Sequence, residues 1–313
     1  MIGIHSIASY VPSGSLSNFD RRQEFGLTDD FILEKLGVST VSRMTRGQDT
    51  ASLCREAFAR LCGKAPINLD KIDCLIVCTQ NPDGHGIPHT SAIVHGDIGA
   101  PEHCASFDIG LGCSGYVYSL SIAKSFMEAN HLKQGVLFTA DPYSKILDPS
   151  DKNTSLLFGD AATATLLLPD ANWLPTRFLF STRGGEGKAL NNNSGHLEMN
   201  GRAVFNFSAT AVPTQVRQLL DTAGVSPDAV DLFLFHQGSR YIVDTLVKRL
   251  ELPPEKVPCN LSAQGNTVSS SIPLLLEHYL SDTTLNRILL SGFGVGLSWA
   301  SCLIERRTQQ PDH

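Results

Sequence analysis

Residues 69–77 read Leu69-Asp70-Lys71-Ile72-Asp73-Cys74-Leu75-Ile76-Val77, and a related stretch, Pro227-Asp228-Ala229-Val230-Asp231-Leu232-Phe233-Leu234-Phe235, follows at a constant offset of 158 residues. Each copy is a polar turn that leads into a short apolar strand, and a helical pattern precedes each, at residues 51–61 and 211–223. A later strand also recurs, at residues 135–139 and 287–291. Strands that are apolar on both faces are typical of sheets covered by helices on each side. The repeat therefore predicts an α/β protein built from two duplicated halves.

The turn Pro169-Asp170-Ala171-Asn172 separates the two copies of the repeat and is the natural boundary between the halves. We expect an N-terminal half at residues 1–170 that carries the candidate nucleophile described below. A C-terminal half at residues 171–313 would carry the remaining candidate site residues. With 313 residues, the chain is long enough to bury a large core.

Composition and charge exclude several classes of protein. The net charge of −6 argues against nucleic acid as a partner, because phosphate binding needs a basic face. The first residues have no basic region, and no run of 18 apolar residues occurs, so we expect neither a signal peptide nor a membrane span. The eight cysteines show no CxxC pair or zinc-like spacing, which indicates free thiols, no metal site and a reducing cytoplasm.

Cys113 is the candidate nucleophile. The motif Gly112-Cys113-Ser114-Gly115 follows a strand-like stretch at residues 105–109 and opens a helical pattern at 116–127. A thiol at a strand-to-helix turn lies where the helix dipole and free N–H groups stabilise a thiolate. Small neighbouring residues let a substrate approach closely. The motif alone also fits a buried core cysteine.

Two further polar residues follow apolar or glycine-rich segments in the C-terminal half. His236 ends the second copy of the repeated strand, and Asn266 lies in a turn of small residues. Each alone also fits a structural role, the asparagine as a helix cap or turn residue. The glycines of residues 292–296 suit backbone N–H groups aimed at an oxyanion, or a tight turn. Cysteine, histidine and asparagine together are the groups of acyl-thioester chemistry.

Taken together, these motifs resemble the β-ketoacyl-acyl-carrier-protein synthase III branch of the thiolase-like superfamily. The resemblance covers essentially the whole chain, from Gly37-Val38-Ser39 through Phe158-Gly159-Asp160-Ala161-Ala162 to Gly292-Phe293-Gly294. It implies the five-layered αβαβα fold and a homodimer. It also implies a cytoplasmic acyltransferase of the condensing type, which acts in lipid metabolism such as fatty acid biosynthesis.

The resemblance implies a role for each candidate residue. Cys113 would accept the acyl group of an acyl-CoA, and His236 and Asn266 would bind the thioester oxygen of a malonyl-acyl-carrier protein as it loses carbon dioxide. The backbone N–H groups of Cys113 and Val295 would hold the oxyanion formed in the condensation. Covalent capture implies ping-pong kinetics. No cofactor is implied, since the coenzyme A thioester is itself a substrate.

The chain departs from the family pattern where substrates are held. Phe31 and Lys145 align with an aromatic residue and an arginine that grip the adenine end of coenzyme A. A lysine keeps the charge but loses the planar fork of an arginine. Ile87 stands where many members have a phenylalanine that reaches into the partner's acyl pocket. This smaller side chain predicts room for a longer or branched primer.

The predicted docking patch for an acidic carrier protein is also altered. Lys248 and Arg249 match basic residues of the family, although they equally fit a solvated helix face. Tyr241 occupies a position that is usually arginine, with Arg240 one residue earlier, and Asn206 replaces a common lysine. An acidic partner needs basic residues to dock on a chain of net negative charge.

Three functions remain open from the sequence. The first is decarboxylating condensation, and the second is an acyltransferase that moves an acyl group from Cys113 to a non-malonyl acceptor. The third is a silent subunit of another dimer. Asn266 favours condensation, since acyl transfer alone has less need of a second donor, and a silent subunit is expected to lose the cysteine or histidine. Primer length, the choice between carrier protein and free coenzyme A, and the fatty acid, polyketide or surface-saccharide pathway stay open.

Overall fold

The computed structural model describes residues 1–307. The α-helices are α1 Arg22–Phe25, α2 Thr50–Lys64, α3 Thr90–Ile98, α4 Gly115–Ala129, α5 Lys152–Ser155, α6 Gly201–Ala223, α7 Arg240–Leu250 and α8 Ser271–Leu276. The strands are β1 Gly3–Tyr10, β2 Gly14–Ser17, β3 Thr40–Arg43, β4 Cys74–Cys78, β5 Ala105–Ile109, β6 Gly135–Ala140, β7 Ala162–Leu168, β8 Trp173–Thr182, β9 Leu190–Asn191, β10 Glu198–Met199, β11 Leu232–Phe235, β12 Arg287–Gly294 and β13 Ser298–Arg306. Shorter helical turns lie at Phe31–Leu36, Leu69–Lys71, Tyr143–Lys145, Gly184–Ala189, Pro227–Ala229, Pro254–Lys256 and Val268–Ser270.

Two arrays of strands share one pairing pattern. In the first array β4 pairs parallel with β6, β6 pairs antiparallel with β7, and β7 pairs antiparallel with β1. In the second array β11, β12, β13 and β8 repeat the same sequence of pairings. The repeated stretches of sequence end in β4 and β11, which therefore hold equivalent places. The arrays join through β1 and β8, where Ile4 pairs with Trp173, in the order β11-β12-β13-β8-β1-β7-β6-β4-β5.

Helices cover both faces of each array and so build five layers. Helices α2 and α3 pack on the outer face of the first array, and α6 packs on the outer face of the second with α7 beside it. Helices α4 and α8 lie between the arrays, because each contacts strands of both. All residues of β4 and β11 are buried, as expected for strands that are apolar on both faces.

The core follows these layers. One apolar cluster fills the space between the arrays and includes Tyr116 and Leu120 of α4 and Ile272 of α8. Two further clusters lie beneath the outer helices, one under α2 and one under α6. The two halves therefore share the central helical layer, and neither buries its inner face alone.

The predicted boundary falls between β7 and β8, since residues 169–172 connect these two strands. The last six residues of the predicted C-terminal half, 308–313, lie outside the described residues. None of the helices in residues 1–307 is long and apolar enough to cross a lipid bilayer.

The Phe158-Gly159-Asp160 turn hydrogen-bonds the backbone of Asn266 and so holds this candidate site residue beside the first array. The N–H of Gly159 donates to the carbonyl of Asn266 at 2.9 Å. A Cβ at residue 159 would lie 1.7 Å from the carbonyl oxygen of Gln264, which is far inside contact distance. This close approach requires glycine, because neither backbone segment can move without breaking the turn.

We expect Gly159→Ala to lower the free energy of unfolding by about 3 kcal/mol or more, because the added methyl overpacks two backbone segments. Denaturant unfolding followed by circular dichroism measures the change. Gly63→Ala is the matched control, since Gly63 lies in α2 with open space around it. That control should gain about 0.5–1 kcal/mol from helix propensity. Equal unfolding midpoints for Gly159→Ala and the native chain would contradict the close approach.

Candidate active site

Cys113 lies between β5 and α4, two residues before the helix begins, and it is 3% exposed. The second array meets it through glycines of β12. A Cβ on Gly294 would lie 2.7 Å from the Cys113 sulfur, and a Cβ on Gly292 would lie 2.7 Å from its carbonyl oxygen. The glycine-rich segment therefore brings backbone rather than side chains against the thiol.

Contrary to the thiolate that the strand-to-helix turn predicts, the surroundings of Cys113 hold it as a thiol at rest. Burial raises the pKa of the thiol to about 12, and the nearby carboxylate of Asp141 acts in the same direction. The backbone N–H groups of Val295 and of Cys113 itself lower the pKa by facing the sulfur. The family resemblance implies an oxyanion role for these same two N–H groups.

His236 follows β11 and is 2% exposed. Its Nδ1 lies 2.7 Å from the hydroxyl oxygen of Ser271, and its ring packs edge-on against Phe293 with centroids 5.5 Å apart. Burial lowers the pKa of the imidazole to about 3, against a small opposing effect of the Val268 backbone. The imidazole is therefore neutral at physiological pH.

Asn266 is held from three sides. Its backbone N–H donates to the carbonyl of Leu157 at 2.8 Å, and its side-chain Oδ1 accepts from the N–H of Val268 at 2.9 Å. Val268 has φ of 54°, a left-handed conformation that is strained for a β-branched residue. Its Nδ2 group donates one N–H to the carbonyl of Gly238 at 3.4 Å, and among the described residues the other N–H has no partner.

One cavity of about 550 Å³ joins the three residues, although they come from distant parts of the chain. Cys113, His236 and Asn266 all line it, and so do the side chains of Leu157, Phe158, Leu190, Val204 and Phe293. The walls are mostly apolar, which suits an acyl chain and strengthens the few polar contacts inside.

Aromatic and basic side chains surround the mouth of the cavity. Phe31 lines the cavity there, and the Lys152 ammonium lies 5.9 Å from the centre of its ring. Phe205 and Tyr241 stack with centroids 4.9 Å apart. Lys35 and Arg202 complete the lining with positive charge.

Lys145 does not reach the cavity mouth. Its ammonium pairs with Asp49 at 2.6 Å and donates to the carbonyl of Pro82 at 2.7 Å. The structure instead brings Lys152, seven residues later, beside Phe31. Asp151 caps the start of α5 immediately before Lys152, and this helix-start pattern is the feature of the sequence that could have pointed to it.

The remaining predicted site residues lie on the surface outside the cavity. Ile87 is 92% exposed on the loop between β4 and α3, so within one chain it contacts no acyl pocket. Arg240 pairs with Asp244 at 3.1 Å. Lys248 and Arg249 are exposed in the last turn of α7, about 10–12 Å along the helix from Tyr241 at the mouth.

Comparison with known proteins identifies the family. The profile described as 3-oxoacyl-[acyl-carrier-protein] synthase III matches residues 107–181, and the profile of its C-terminal part matches residues 220–306. The β-ketoacyl-[acyl-carrier-protein] synthase III of Streptococcus mutans is 32% identical, with 96% of this chain and 98% of the relative covered. The counterpart of Lactococcus lactis is 30% identical, with the same coverage of both chains.

The chain belongs to the 3-oxoacyl-[acyl-carrier-protein] synthase III family. A crystal structure of a 3-oxoacyl-(acyl-carrier-protein) synthase III superposes with a TM-score of 0.91 at 35% identity, covering 97% of this chain and 99% of that one. The enzyme from Burkholderia xenovorans gives 0.90 at 32% identity, covering 97% and 94%. The chain is therefore a synthase III-type transferase, and the predicted thiolase-like αβαβα fold is confirmed.

Within residues 1–307 the synthase has no group of three or more histidine, cysteine, aspartate or glutamate side chains placed to hold a metal ion. Its candidate site consists instead of one thiol and several N–H donors. A thiol supplies a nucleophile and N–H donors stabilise developing negative charge, which together define acyl-transfer chemistry.

Proposed function

We propose that the protein condenses an acyl-CoA primer with malonyl-acyl-carrier protein, with loss of carbon dioxide, to form a 3-oxoacyl-acyl-carrier protein. One observation carries this proposal. The buried thiol of Cys113 opens into the same cavity as a neutral imidazole and an amide whose acceptor atom is already occupied. Such a site can hold an acyl group covalently and an enolate beside it.

In the first half-reaction the Cys113 sulfur attacks the thioester carbonyl of the primer. The coenzyme A thiol leaves with the proton, and the acyl group remains on Cys113. In the second half-reaction the malonyl thioester oxygen accepts from His236 and Asn266. The bond to the carboxylate then breaks, carbon dioxide leaves, and the electron pair stays on an enolate that these donors stabilise.

The enolate carbon attacks the acyl carbonyl and forms the new carbon–carbon bond. The backbone N–H groups of Cys113 and Val295 hold the resulting oxyanion, and its collapse expels the Cys113 sulfur, which takes up a proton from solvent. No step changes the oxidation state of the enzyme, so we propose that the reaction needs no metal or redox cofactor. The eight cysteines are all free thiols, which supports a reducing cytoplasm as the site of action.

We propose that the cavity mouth binds the nucleotide end of coenzyme A. Phe31 offers an aromatic face for the adenine, and Lys152 offers a cation for its phosphates.

Lys152→Ala should raise the KM for acyl-CoA about tenfold, as expected for a lost hydrogen bond to a charged group. Lys145→Ala is the matched control and should leave this KM unchanged, because Lys145 is bound to Asp49. Initial rates over a range of acyl-CoA concentrations measure both KM values. A raised KM in Lys145→Ala with an unchanged KM in Lys152→Ala would assign phosphate binding to Lys145.

We propose that the carrier protein docks on α7. Tyr241 in the first turn of this helix lines the cavity mouth, and the last turn carries the exposed cations Lys248 and Arg249. An acidic carrier bound there would have its prosthetic arm beside the opening. Arg240 contributes less, because Asp244 already neutralises it.

We propose a homodimer formed across β5. This strand is one of the two edges of the sheet, and Phe107 in β5 lies 5.3 Å from Phe126 of α4. Ile122, one turn earlier on α4, is 39% exposed, and Phe180 beyond it is 43% exposed. An unpaired edge beside an apolar surface suits pairing with a second copy.

Light scattering should therefore give twice the chain mass of 33.9 kDa at micromolar concentration. Ile122→Lys places a charge in this apolar surface and should shift the protein to monomer. Leu16→Lys is the control, since Leu16 is equally exposed at 45% but lies on β2, outside this surface. A monomeric native chain would contradict the proposal.

Intact mass spectrometry tests the proposed function. The protein is incubated with a series of acyl-CoAs and then with malonyl-carrier protein or malonyl-CoA. We expect an acyl adduct that malonyl-carrier protein discharges to a 3-oxoacyl product. Loading without discharge would favour an acyltransferase with a non-malonyl acceptor. Preference for acetyl over all longer primers would contradict the extra room expected at Ile87.

A further inference from the structure

His236 and Ser271 are in direct contact at the candidate site. The Nδ1 atom of the imidazole lies 2.7 Å from the serine hydroxyl oxygen, and both residues are at least 97% buried. Ser271 is the first residue of α8, the helix that lies between the two arrays. The contact therefore joins the second array to the central layer at the candidate site.

A neutral imidazole carries one N–H, on either Nδ1 or Nε2, and the position follows from the partners of the hydroxyl. The backbone N–H of Gln237 faces the Ser271 oxygen at 3.4 Å, so the oxygen already has a donor. The hydroxyl proton can be donated to Nδ1, which lies 2.7 Å from the Ser271 oxygen. A proton on Nδ1 would leave this buried hydroxyl proton without a partner, which is costly.

We propose that Ser271 is a positioning residue that donates its hydroxyl proton to Nδ1 and so keeps the proton of His236 on Nε2. The opposite edge of the ring lies beside Gly238, which lines the cavity. A Cβ on Gly238, a cavity-lining residue, would lie 3.8 Å from Nε2, and the Asn266 Nδ2 lies 3.4 Å from the Gly238 carbonyl. The two N–H donors thus converge on one wall.

The side chains of His236 and Asn266 are oriented in the same way by their neighbours. The atom that could accept a proton, Nδ1 in one and Oδ1 in the other, is occupied from inside by Ser271 or by the N–H of Val268. What remains toward the cavity is one N–H-bearing atom from each residue. The site is therefore built to bind a developing negative charge and not to remove a proton, a consequence that rests on the proposed function.

The test is the tautomer of His236, read from ¹⁵N chemical shifts of the protein labelled in its histidines, with a His236→Gln variant for assignment. We expect a protonated Nε2 and an unprotonated Nδ1 in the native chain. Ser271→Thr keeps the hydroxyl and should keep this pattern. Ser271→Val has nearly the same shape without the hydroxyl and should lose it.

Kinetics provide the second readout. Ser271→Val and Ser271→Ala should lower kcat for malonyl decarboxylation about 10- to 100-fold, as is usual when a group that orients a site histidine is lost. The rate of acyl loading on Cys113 should stay within about twofold. Ser270→Ala is the matched control, because the Ser270 hydroxyl is equally buried but bonds Thr139 of β6 at 2.9 Å. It should lose stability while keeping the tautomer and the decarboxylation rate.

A proton on Nδ1 in the native chain would overturn the proposal, and so would full decarboxylation activity in a folded Ser271→Val variant. If the alanine and valine variants do not fold, the native and Ser271→Thr spectra still decide the tautomer. If the native chain decarboxylates no malonyl thioester, the proposed function is wrong. The ¹⁵N spectra still test the role of Ser271, because they report the His236 tautomer without any activity.

Discussion

Cys113→Ala should abolish acyl loading and condensation while malonyl decarboxylation continues. The first half-reaction needs the sulfur as a nucleophile, and no other group in the described cavity can form the thioester. Loss of a nucleophile typically costs about 10⁴-fold or more. The enolate site is separate, because His236 and Asn266 keep their partners Ser271 and Val268 when the thiol is removed.

Intact mass and release of carbon dioxide from labelled malonyl-carrier protein measure the two activities. Cys62→Ala is the control, since Cys62 is an exposed thiol on α2 and is far more accessible to reagents. That variant should accept the acyl group normally. This result would show that acylation depends on the position of the thiol in the cavity and not on its exposure. An acyl adduct of equal yield on Cys113→Ala would assign the nucleophile elsewhere.

His236→Ala and Asn266→Ala should show the complementary loss. Each variant should still load the primer on Cys113, but decarboxylation should fall by about 10²–10³-fold, as found when one oxyanion donor is removed. The carbon dioxide released at fixed times gives the decarboxylation rate of each variant. His278→Ala, an exposed histidine after α8, is a control that should keep the native rate.

The pH dependence follows from the same burial. Because burial lowers the pKa of His236 to about 3, the imidazole stays neutral from pH 5 to pH 9. The decarboxylation rate should therefore show no inflection near pH 6.5, where an ordinary histidine titrates. An inflection there that disappears in His236→Ala would show that the imidazole becomes charged, and the neutral-donor role would then be wrong.

The lysines and serines near the site show why part of it could not be predicted. Lys145 and Lys152 lie seven residues apart in similar polar surroundings, and only the approach of Asp49 to one and Phe31 to the other separates their roles. Ser270 and Ser271 are adjacent, yet one hydroxyl bonds β6 and the other bonds His236. No local pattern distinguishes such neighbours.

The duplicated α/β architecture and the candidates Cys113, His236 and Asn266 could be predicted from the amino-acid sequence. These features are local: strands apolar on both faces demand helices on both sides, and small residues at strand ends mark where a side chain can meet a substrate. The tertiary structure alone decided which lysine reaches the cavity, which serine meets the imidazole, and how both donors are oriented. Those outcomes depend on contacts between segments far apart in the chain, whose meeting is set by the packing of the layers.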